Sequence, residues 1–405
     1  MNIDRLKEHA IAEIEAAEER LCEVSRAIQA QPEIGYHEFE AAALLIDGLE
    51  THGFEVQRGL AGLPTSFRAT LRGRDPGPTV ALLAEYDALP EVGHGCGHNL
   101  IGAGALGAAI GLKAVMAELP GRLLAIGTPA EEFTGRLHIP GTPDHQRATG
   151  GGKIQMLEAG VFDDVDVCLM FHPSTENKVI RSNLAFAVLE LEFEGRPAHA
   201  AADPWNGVNA LDGILLTYMG INALRQHIQT DTRIHGIITH GGDAANIIPE
   251  RATASFMVRA PNRAGVEALV ERVVHCAEGA ALATGARLID RHLITVDNVR
   301  INPTLQGTVI DNFVTLGAEP PPPIRGYGST DFGNVSQYRP GSHFYVGTHP
   351  ADMAWHSEAV AEGSVSDEAH AGMLLGSKVL AMTAIDLLST PGLVDDIRRD
   401  FESGG

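Results

Sequence analysis

The hydrophobic pattern of this chain predicts an α/β protein: a mainly parallel sheet covered by helices, with a smaller ferredoxin-like α+β domain inserted into it. Three observations carry that expectation. In the first half, continuous apolar runs of strand length alternate with longer helical stretches, as in a parallel sheet buried on both faces. Near residue 183 the pattern changes to alternating apolar and polar residues, which is how a half-exposed strand reads. From about residue 300 the first pattern resumes. The expected division is therefore 1–182 and 300–405 as one domain, with 183–299 as the insert.

The elements follow in order. "MNIDRLKEHAIAEIEAAEERL" is a charged amphipathic helix. "PEIGYHEFEAAALLIDGLETHG" reads as a second helix with His52-Gly53 at its end. "PTVALLAEYDAL" (78–89) is a continuous apolar strand, and "LIGAGALGAAIGLKAVMAEL" (100–119) a helix. A strand at 121–132, a helix at 151–162 and a strand at 166–173 complete a β-α-β-α-β order. The insert opens with the strand "LAFAVLELEFEG" and continues with a helix at 205–228. Strands "RIHGIITHG" and "ATASFMVRA", a helix at 263–283 and the strand "ARLIDRHLI" follow. That β-α-β-β-α-β order is the ferredoxin-like one. "EPPPP" (319–323) reads as a rigid turn into a strand.

Composition narrows the function. With 405 residues and 44% apolar content the chain can bury a large core. Its net charge of −22 disfavours nucleic acid, which needs a basic stripe. No 18-residue apolar run is expected, hence no membrane span. The N-terminal helix lacks the apolar region of a signal peptide. The cysteines, Cys22, Cys96, Cys168 and Cys276, are scattered without a C-x-x-C pair, so neither a disulfide framework nor a thiolate zinc knuckle is indicated. A reducing, cytoplasmic compartment is the expectation. Cys22, Cys168 and Cys276 read as core.

The reactive side chains gather at strand ends. In open α/β sheets, ligands bind beyond the carboxyl ends of the strands. The first strand runs into Asp87 and then "EVGHGCGHNL", with Cys96 and His98 between glycines; the second runs into Glu131-Glu132; the third runs into His172. If these strands are parallel neighbours, thiolate, carboxylate and imidazoles surround one point, a set suited to zinc, manganese, cobalt or nickel. Gly93, Gly95 and Gly97 would let a tight loop bring Cys96 and His98 to one ion. Taken singly, His172 is a strand-end histidine and Glu131-Glu132 a solvated loop. The convergence is the stronger signal. Gly102, Gly104 and Gly107 spell G-x-G-x-x-G but sit too far past the strand for a dinucleotide site. They read as close helix packing. The "GGG" at 150–152 lacks the lysine-serine pair of a P-loop.

Taken together, "AEYDALPEVGHGCGHN", "TPAEE", "GGGKIQMLEAGVFDDVD", "MFHP", "GRPAHAAADPWNGVNAL", "ANIIPE", "MVRAPN" and "GSTDFGNVS" resemble, in order, the aminoacylase and carboxypeptidase-like metallopeptidase family (family M-twenty). The resemblance is nearest to its aminobenzoyl-glutamate and hippurate or indoleacetyl-amino-acid hydrolases, and spans about residues 15–390. It implies a two-metal amidohydrolase: a catalytic α/β domain and a lid domain that also forms a homodimer. The substrate would be an N-acyl amino acid or dipeptide-like amide. By the same resemblance Cys96, His98, Glu132, His172 and His356 (in "AWHSE") are metal ligands, zinc being the first expectation. Glu131 is the general base and Asp87 orients a metal-site partner. His199 (in "PAHA") reaches a partner's site to donate to the oxyanion. Asn246 and Arg259 hold a carboxylate or carbonyl oxygen of the substrate. A competing reading makes Cys96 a nucleophile with His94 or His98 as base; another makes the chain a non-catalytic amide binder. The chain departs from the family pattern at "FTGRLHIPGTPDHQRAT" (133–149), an added loop carrying His138, Asp144 and His145. It is expected to fold over the pocket mouth.

Overall fold

A computed structural model describes residues 2–132, 136–138, 147–326 and 328–404. It divides into two compact units, Met1–Ser182 with Val299–Gly326 and Asp331–Gly405, and Asn183–Asn298 with Tyr327–Thr330. Two details depart from the expected boundaries. Val299 belongs to the first unit, and the short segment ending at Thr330 clusters with the insert. Ser329 explains the second. Its hydroxyl donates to the Leu184 carbonyl at 2.6 Å and accepts from Arg259 at 3.0 Å.

In the first unit, the expected N-terminal helix is two helices, α1 (Ile3–Ala16) and α2 (Glu18–Ala30). Helix α3 (Phe39–Thr51) is shorter than expected and ends at His52, with Gly53 at φ 81°. The segment before it, expected as helix, carries Pro32 and a Tyr36 with φ 64°, and a left-handed residue cannot sit inside an α-helix. Strands β1 (Glu55–Arg58) and β2 (Phe67–Arg72) form an antiparallel pair that the sequence pattern did not announce. Then come β3 (Thr79–Ala84), α4 (His98–Val115) and β4 (Arg122–Gly127). Within 133–149, β5 (Arg136–His138) and β6 (Arg147–Thr149) pair antiparallel, where an irregular loop was expected. The side chains of 133–149, those of His138, Asp144 and His145 among them, lie outside the described residues, and so does the expected fold over the pocket mouth. Helix α5 (Gly152–Glu158), β7 (Val167–Ser174) and β8 (Lys178–Ser182) end this segment.

The second unit comprises β9 (Ala185–Glu194), α6 (Ala210–Leu224), β10 (Arg233–His240), β11 (Arg251–Ala260), α7 (Arg263–Thr284) and β12 (Arg287–Val296). Its sheet has the order β10-β11-β9-β12 and is antiparallel throughout. Leu189, Leu191 and Phe193 of β9 share one buried cluster with Ile214 of α6 and Val273 of α7. β9 was expected to be half exposed. It is nearly all buried, because it is central and because Arg251 and Arg291 from its two neighbours cover Glu192, at 2.6 and 3.1 Å.

The chain then returns to the first unit as α8 (Pro303–Thr315), β13 (Pro323–Arg325), α9 (Phe332–Tyr338), β14 (Gly341–Gly347), α10 (Glu358–Gly363), α11 (Asp367–Ser389) and α12 (Leu393–Ser403). Asn302 caps α8 ahead of Pro303, and Ser366 caps α11. Among the described residues the sheet order is β1-β2-β4-β3-β7-β14-β8-β13. β4, β3, β7 and β14 run parallel to their neighbours within this set. The β1-β2 pair joins β4 antiparallel, and β8 joins β14 antiparallel. Alternate residues of β3 feed two separate cores, Val80 and Leu82 one, Ala81 and Leu83 the other, as period-two side chains must.

Two helical stretches, His98–Glu118 and Asp367–Ser389, are long and apolar enough by composition to cross a membrane. This corrects the expectation that no such run exists. Both are packed inside the protein, with 83% and 78% of their most apolar windows buried.

Candidate metal centre and active site

Each of the four parallel strands supplies residues at its carboxyl end. β3 leads to Glu85, Asp87, Cys96 and His98; β4 leads to Glu131 and Glu132; β7 carries His172; the loop after β14 carries His356. This is the position that the open-sheet rule assigns to a ligand site. The glycine loop acts as expected, with a detail added. Gly93 and Gly97 take φ of 80° and 73°. Gly95 serves close approach instead: a Cβ there would lie 2.7 Å from Val92 and 3.3 Å from the Ser357 nitrogen. The His356 N–H donates to the Gly95 carbonyl at 3.0 Å, docking the last histidine onto the loop. His356 itself has φ 60°, strain of the kind that collects at functional sites.

The expected ligands come together in the first unit. Donor atoms of Cys96, His98 and His172 lie within 4.8 Å of one another, as do those of Cys96, Glu132 and His356, and those of His98, Glu131 and Glu132. Cys96 Sγ stands 3.4 Å from His172 Nε2 and 3.6 Å from His356 Nε2. Glu132 Oε1 is 3.6 Å from His98 Nε2, and its Oε2 is 3.8 Å from His356 Nε2. The rings are oriented from behind. His98 Nδ1 donates to Asp87 Oδ1 at 2.8 Å, and His172 Nδ1 donates to the Pro173 carbonyl at 2.7 Å. Both therefore present Nε2 to the cluster, the arrangement that second-layer partners impose on ligating histidines. Asp87 does two things, since its Oδ2 also accepts from the Glu132 N–H at 2.9 Å.

Several buried polar atoms here have no hydrogen-bond partner among the described residues: His98 Nε2, Glu132 Oε1 and Glu85 Oε2. Buried polar atoms are rarely left unpaired, and these face one another. The carboxylates raise the Cys96 thiol further after burial has already raised it. Burial would lower His98, but Asp87, Glu85 and Glu132 outweigh it and hold its pKa well above the ordinary value. His172, by contrast, is pushed down to about 4, chiefly by burial. Soft, borderline and hard donors crowded together with excess negative charge fit divalent cations. The cysteine-nucleophile reading loses ground on the same facts. A raised thiol is a poor nucleophile, His98 is committed to Asp87, and His94 Nε2 donates to the Ile28 carbonyl at 3.2 Å.

Glu131 is half buried, and its pKa is held well above the usual carboxylate range, first by burial and then by Glu85, Glu132 and Asp331. It shares a second cluster with Glu85 and Asp331, donor atoms within 4.8 Å. Lys153 lies among them, its Nζ 2.6 Å from Glu85 Oε1 and 2.5 Å from Asp331 Oδ1, all three side chains fully buried. Burial alone would raise Glu85, but Lys153 and then His98 outweigh it and hold Glu85 down at about 2. Sequence reasoning assigned none of these three a role, although each stood inside a quoted motif. Gly152 explains part of "GGG": a Cβ there would fall 1.9 Å from the Pro129 carbonyl oxygen, so the glycine lets α5 start against the paired-glutamate turn.

The other expected residues belong to the second unit. His199 is exposed, its Nδ1 accepting from Ala201 and Ala202 at 3.3 and 3.2 Å. Asn246 adjoins it, accepting from the Ala200 N–H at 3.0 Å through its carbonyl. Arg259 sits at the far end of β11, over the Phe186 ring at 5.1 Å. The eight residue steps from Arg251 to Arg259 span about 26 Å of strand. Asn246 thus lies in the loop ahead of the strand and Arg259 near its far end, well apart within this unit.

Comparison with known proteins agrees with this architecture. A family model described as a peptidase dimerisation domain matches residues 181–284. The chain is 38% identical over 424 residues to the Xaa-Arg dipeptidase of Mus musculus, covering 99% of this chain and 93% of that protein. It is 29% identical to one of the polypeptides of the p-aminobenzoyl-glutamate hydrolase of Escherichia coli, over 96% of this chain and 93% of that one. Among solved structures it is similar to a Bacillus subtilis protein described as a dinuclear metal binding peptidase of the M20 family. The TM-score is 0.69, with 22% identity and coverage of 93% and 99%. The aminobenzoyl-glutamate utilization protein of Klebsiella pneumoniae superposes with a TM-score of 0.72 at 22% identity, covering 95% and 98%. A relative this similar over nearly the full length, with the matching dimerisation domain, settles the family: the chain belongs to the M20 peptidases and is a metal-dependent hydrolase of amide bonds.

Proposed function

We propose that this enzyme cleaves a dipeptide-like amide or an N-acyl amino acid, with Glu131 as general base beside two divalent cations held by Cys96, His98, Glu132, His172 and His356. The carrying observation is the meeting of these side chains at the ends of four parallel strands, with His98 Nε2 and Glu132 Oε1 buried and otherwise unpaired among the described residues. Cations bound there supply Lewis acidity that lowers the pKa of water and polarises a carbonyl. Every other part falls to this chain. Glu131 takes the proton of the attacking water on a carboxylate oxygen and returns it to the departing amine. Asp87 keeps the His98 proton on Nδ1, leaving Nε2 for coordination. His199 would donate to the developing oxyanion in a partner subunit's site, and Asn246 would serve beside it. Arg259 would hold a carboxylate, with its guanidinium already fixed over Phe186.

The dipeptidase among the relatives makes dipeptides ending in arginine the first compounds to test, followed by aminobenzoyl-glutamate. We place the enzyme in the cytoplasm as a homodimer, with zinc as the first metal to try. Four free cysteines support a reducing compartment. The test is elemental analysis of purified protein, chelation and reconstitution, with Glu131→Gln alongside. The variant should keep its metal and lose several orders of magnitude in kcat on whichever substrate the parent prefers. Full turnover by metal-free protein would end the proposal.

A further inference from the structure

We propose that Glu38 is a positioning residue: its buried carboxyl fixes the left-handed turn at Ala130 from which Glu131 and Glu132 are presented.

Glu38 lies just ahead of α3 and is 0% exposed. A glutamate at that place would ordinarily be read as a helix cap, yet its side chain makes no capping bond to α3. It reaches across the fold instead. Its Oε1 accepts from the Ala130 N–H at 2.9 Å, and its Oε2 accepts from the Thr65 hydroxyl at 2.7 Å. Ala130 has φ 57°, a conformation that glycine adopts freely and that a Cβ disfavours. A glycine would make this turn unaided. The alanine methyl is itself wholly buried in the core beneath the turn, so the conformation has to be imposed from outside. Glu38 imposes it on the N–H side, the Gly151 N–H grips the Ala130 carbonyl at 2.8 Å, and Asp87 grips the Glu132 N–H. Burying a carboxyl is costly unless its oxygens are satisfied. Both are satisfied here, one by the turn at Ala130 and the other by the Thr65 hydroxyl, which anchors the carboxyl. Glu38 is pushed up to about 8, by burial first and Asp87 second. A neutral acid keeps the same geometry, with the carbonyl oxygen toward Ala130 and the O–H toward Thr65.

The inference rests on Glu131 being the base and Glu132 a ligand, so the experiment carries Glu131→Gln as a control. Parent, Glu38→Ala, Glu38→Gln and Glu131→Gln are compared for kcat, KM, metal affinity by titration of apoprotein with zinc, and thermal unfolding. Small displacements of a catalytic group cost up to about 100-fold in rate. Loss of an orienting partner costs about 10- to 100-fold in metal affinity or activity. Glu38→Ala should therefore lose about 10- to 100-fold in kcat and about 10-fold in zinc affinity, with KM within about twofold. Glu38→Gln should recover both to within about threefold of the parent, because its amide oxygen accepts from Ala130 and its NH2 donates to the Thr65 hydroxyl. A folded Glu38→Ala with kcat and zinc affinity within about threefold of the parent overturns the inference. So does a Glu38→Gln that loses activity in step with Glu38→Ala and with thermal stability, since that is mere structural damage. If Glu38→Ala does not fold, Glu38→Met decides: it fills the same space without an acceptor for the Ala130 N–H, and an unchanged kcat overturns the proposal. An active Glu131→Gln would instead remove the base reading, and the zinc titration would still report whether Glu38 holds the turn.

Discussion

Lys153 is enclosed by acids, with Glu85 and Asp331 in contact and Glu131 close by. Removing one member of a buried ion network leaves the others uncompensated, at a cost of about 3–5 kcal/mol. Lys153→Met should accordingly lower the unfolding free energy by about that amount in urea titrations. An unchanged midpoint would show that the carboxyls there are already neutral without it. The candidate ligands were legible because histidine, cysteine and paired glutamates are uncommon at the ends of apolar runs. Glu38, Glu85, Lys153 and Asp331 were not legible. An acid or lysine in a loop looks solvated until the fold shows that it is enclosed, and nothing in "PEIGYHEFE" points to Ala130. Arg259 and Asn246 were both expected to hold substrate oxygens, and the fold sets Asn246 ahead of β11 and Arg259 near its far end.

The helices beside the sheet are fitted to it by their small residues. Phe171, immediately before His172, lodges between Gly104 of α4 and Gly376 of α11. A Cβ on Gly104 would come within 2.5 Å of its ring, and one on Gly376 within 2.9 Å. Gly104→Ala should destabilise the protein by about 1–3 kcal/mol through overpacking, despite alanine's better helix propensity. It should also weaken metal retention, because the displaced ring carries its neighbour His172. Calorimetry paired with elemental analysis tests both, and a stabilised variant would show that the ring moves freely. The reading of 102–107 as a packing surface rather than a dinucleotide loop rested on its distance from the strand, and the contacts of Gly104 agree. The β1-β2 pair escaped notice because strands of four and six residues bear few side chains to set a period.

On the scale of the whole molecule, His199 and Asn246 lie on the unit that holds none of the metal-cluster residues. If they serve a partner's site, mixing His199→Ala with Glu131→Gln protein should restore activity. Each heterodimer then has one site with both groups intact and one with neither. Heterodimers verified by mass that remain inactive would confine each site to one chain. The insertion was legible from the change of hydrophobic period, and the ferredoxin-like order from its strands and helices. The exact ends were not, because Ser329 joins its partners by hydrogen bonds that leave no periodic trace.

The last of the assembled side chains, His356, is encoded after the whole inserted unit, whereas Cys96, His98, Glu132 and His172 precede it. During synthesis the chain emerges amino end first, so four of the five donors leave the ribosome with the insert still to be made. A chain that stopped before residue 341 would lack both β14 and the closing histidine. The cluster of donors can therefore be completed only late in translation, once His356 has been added.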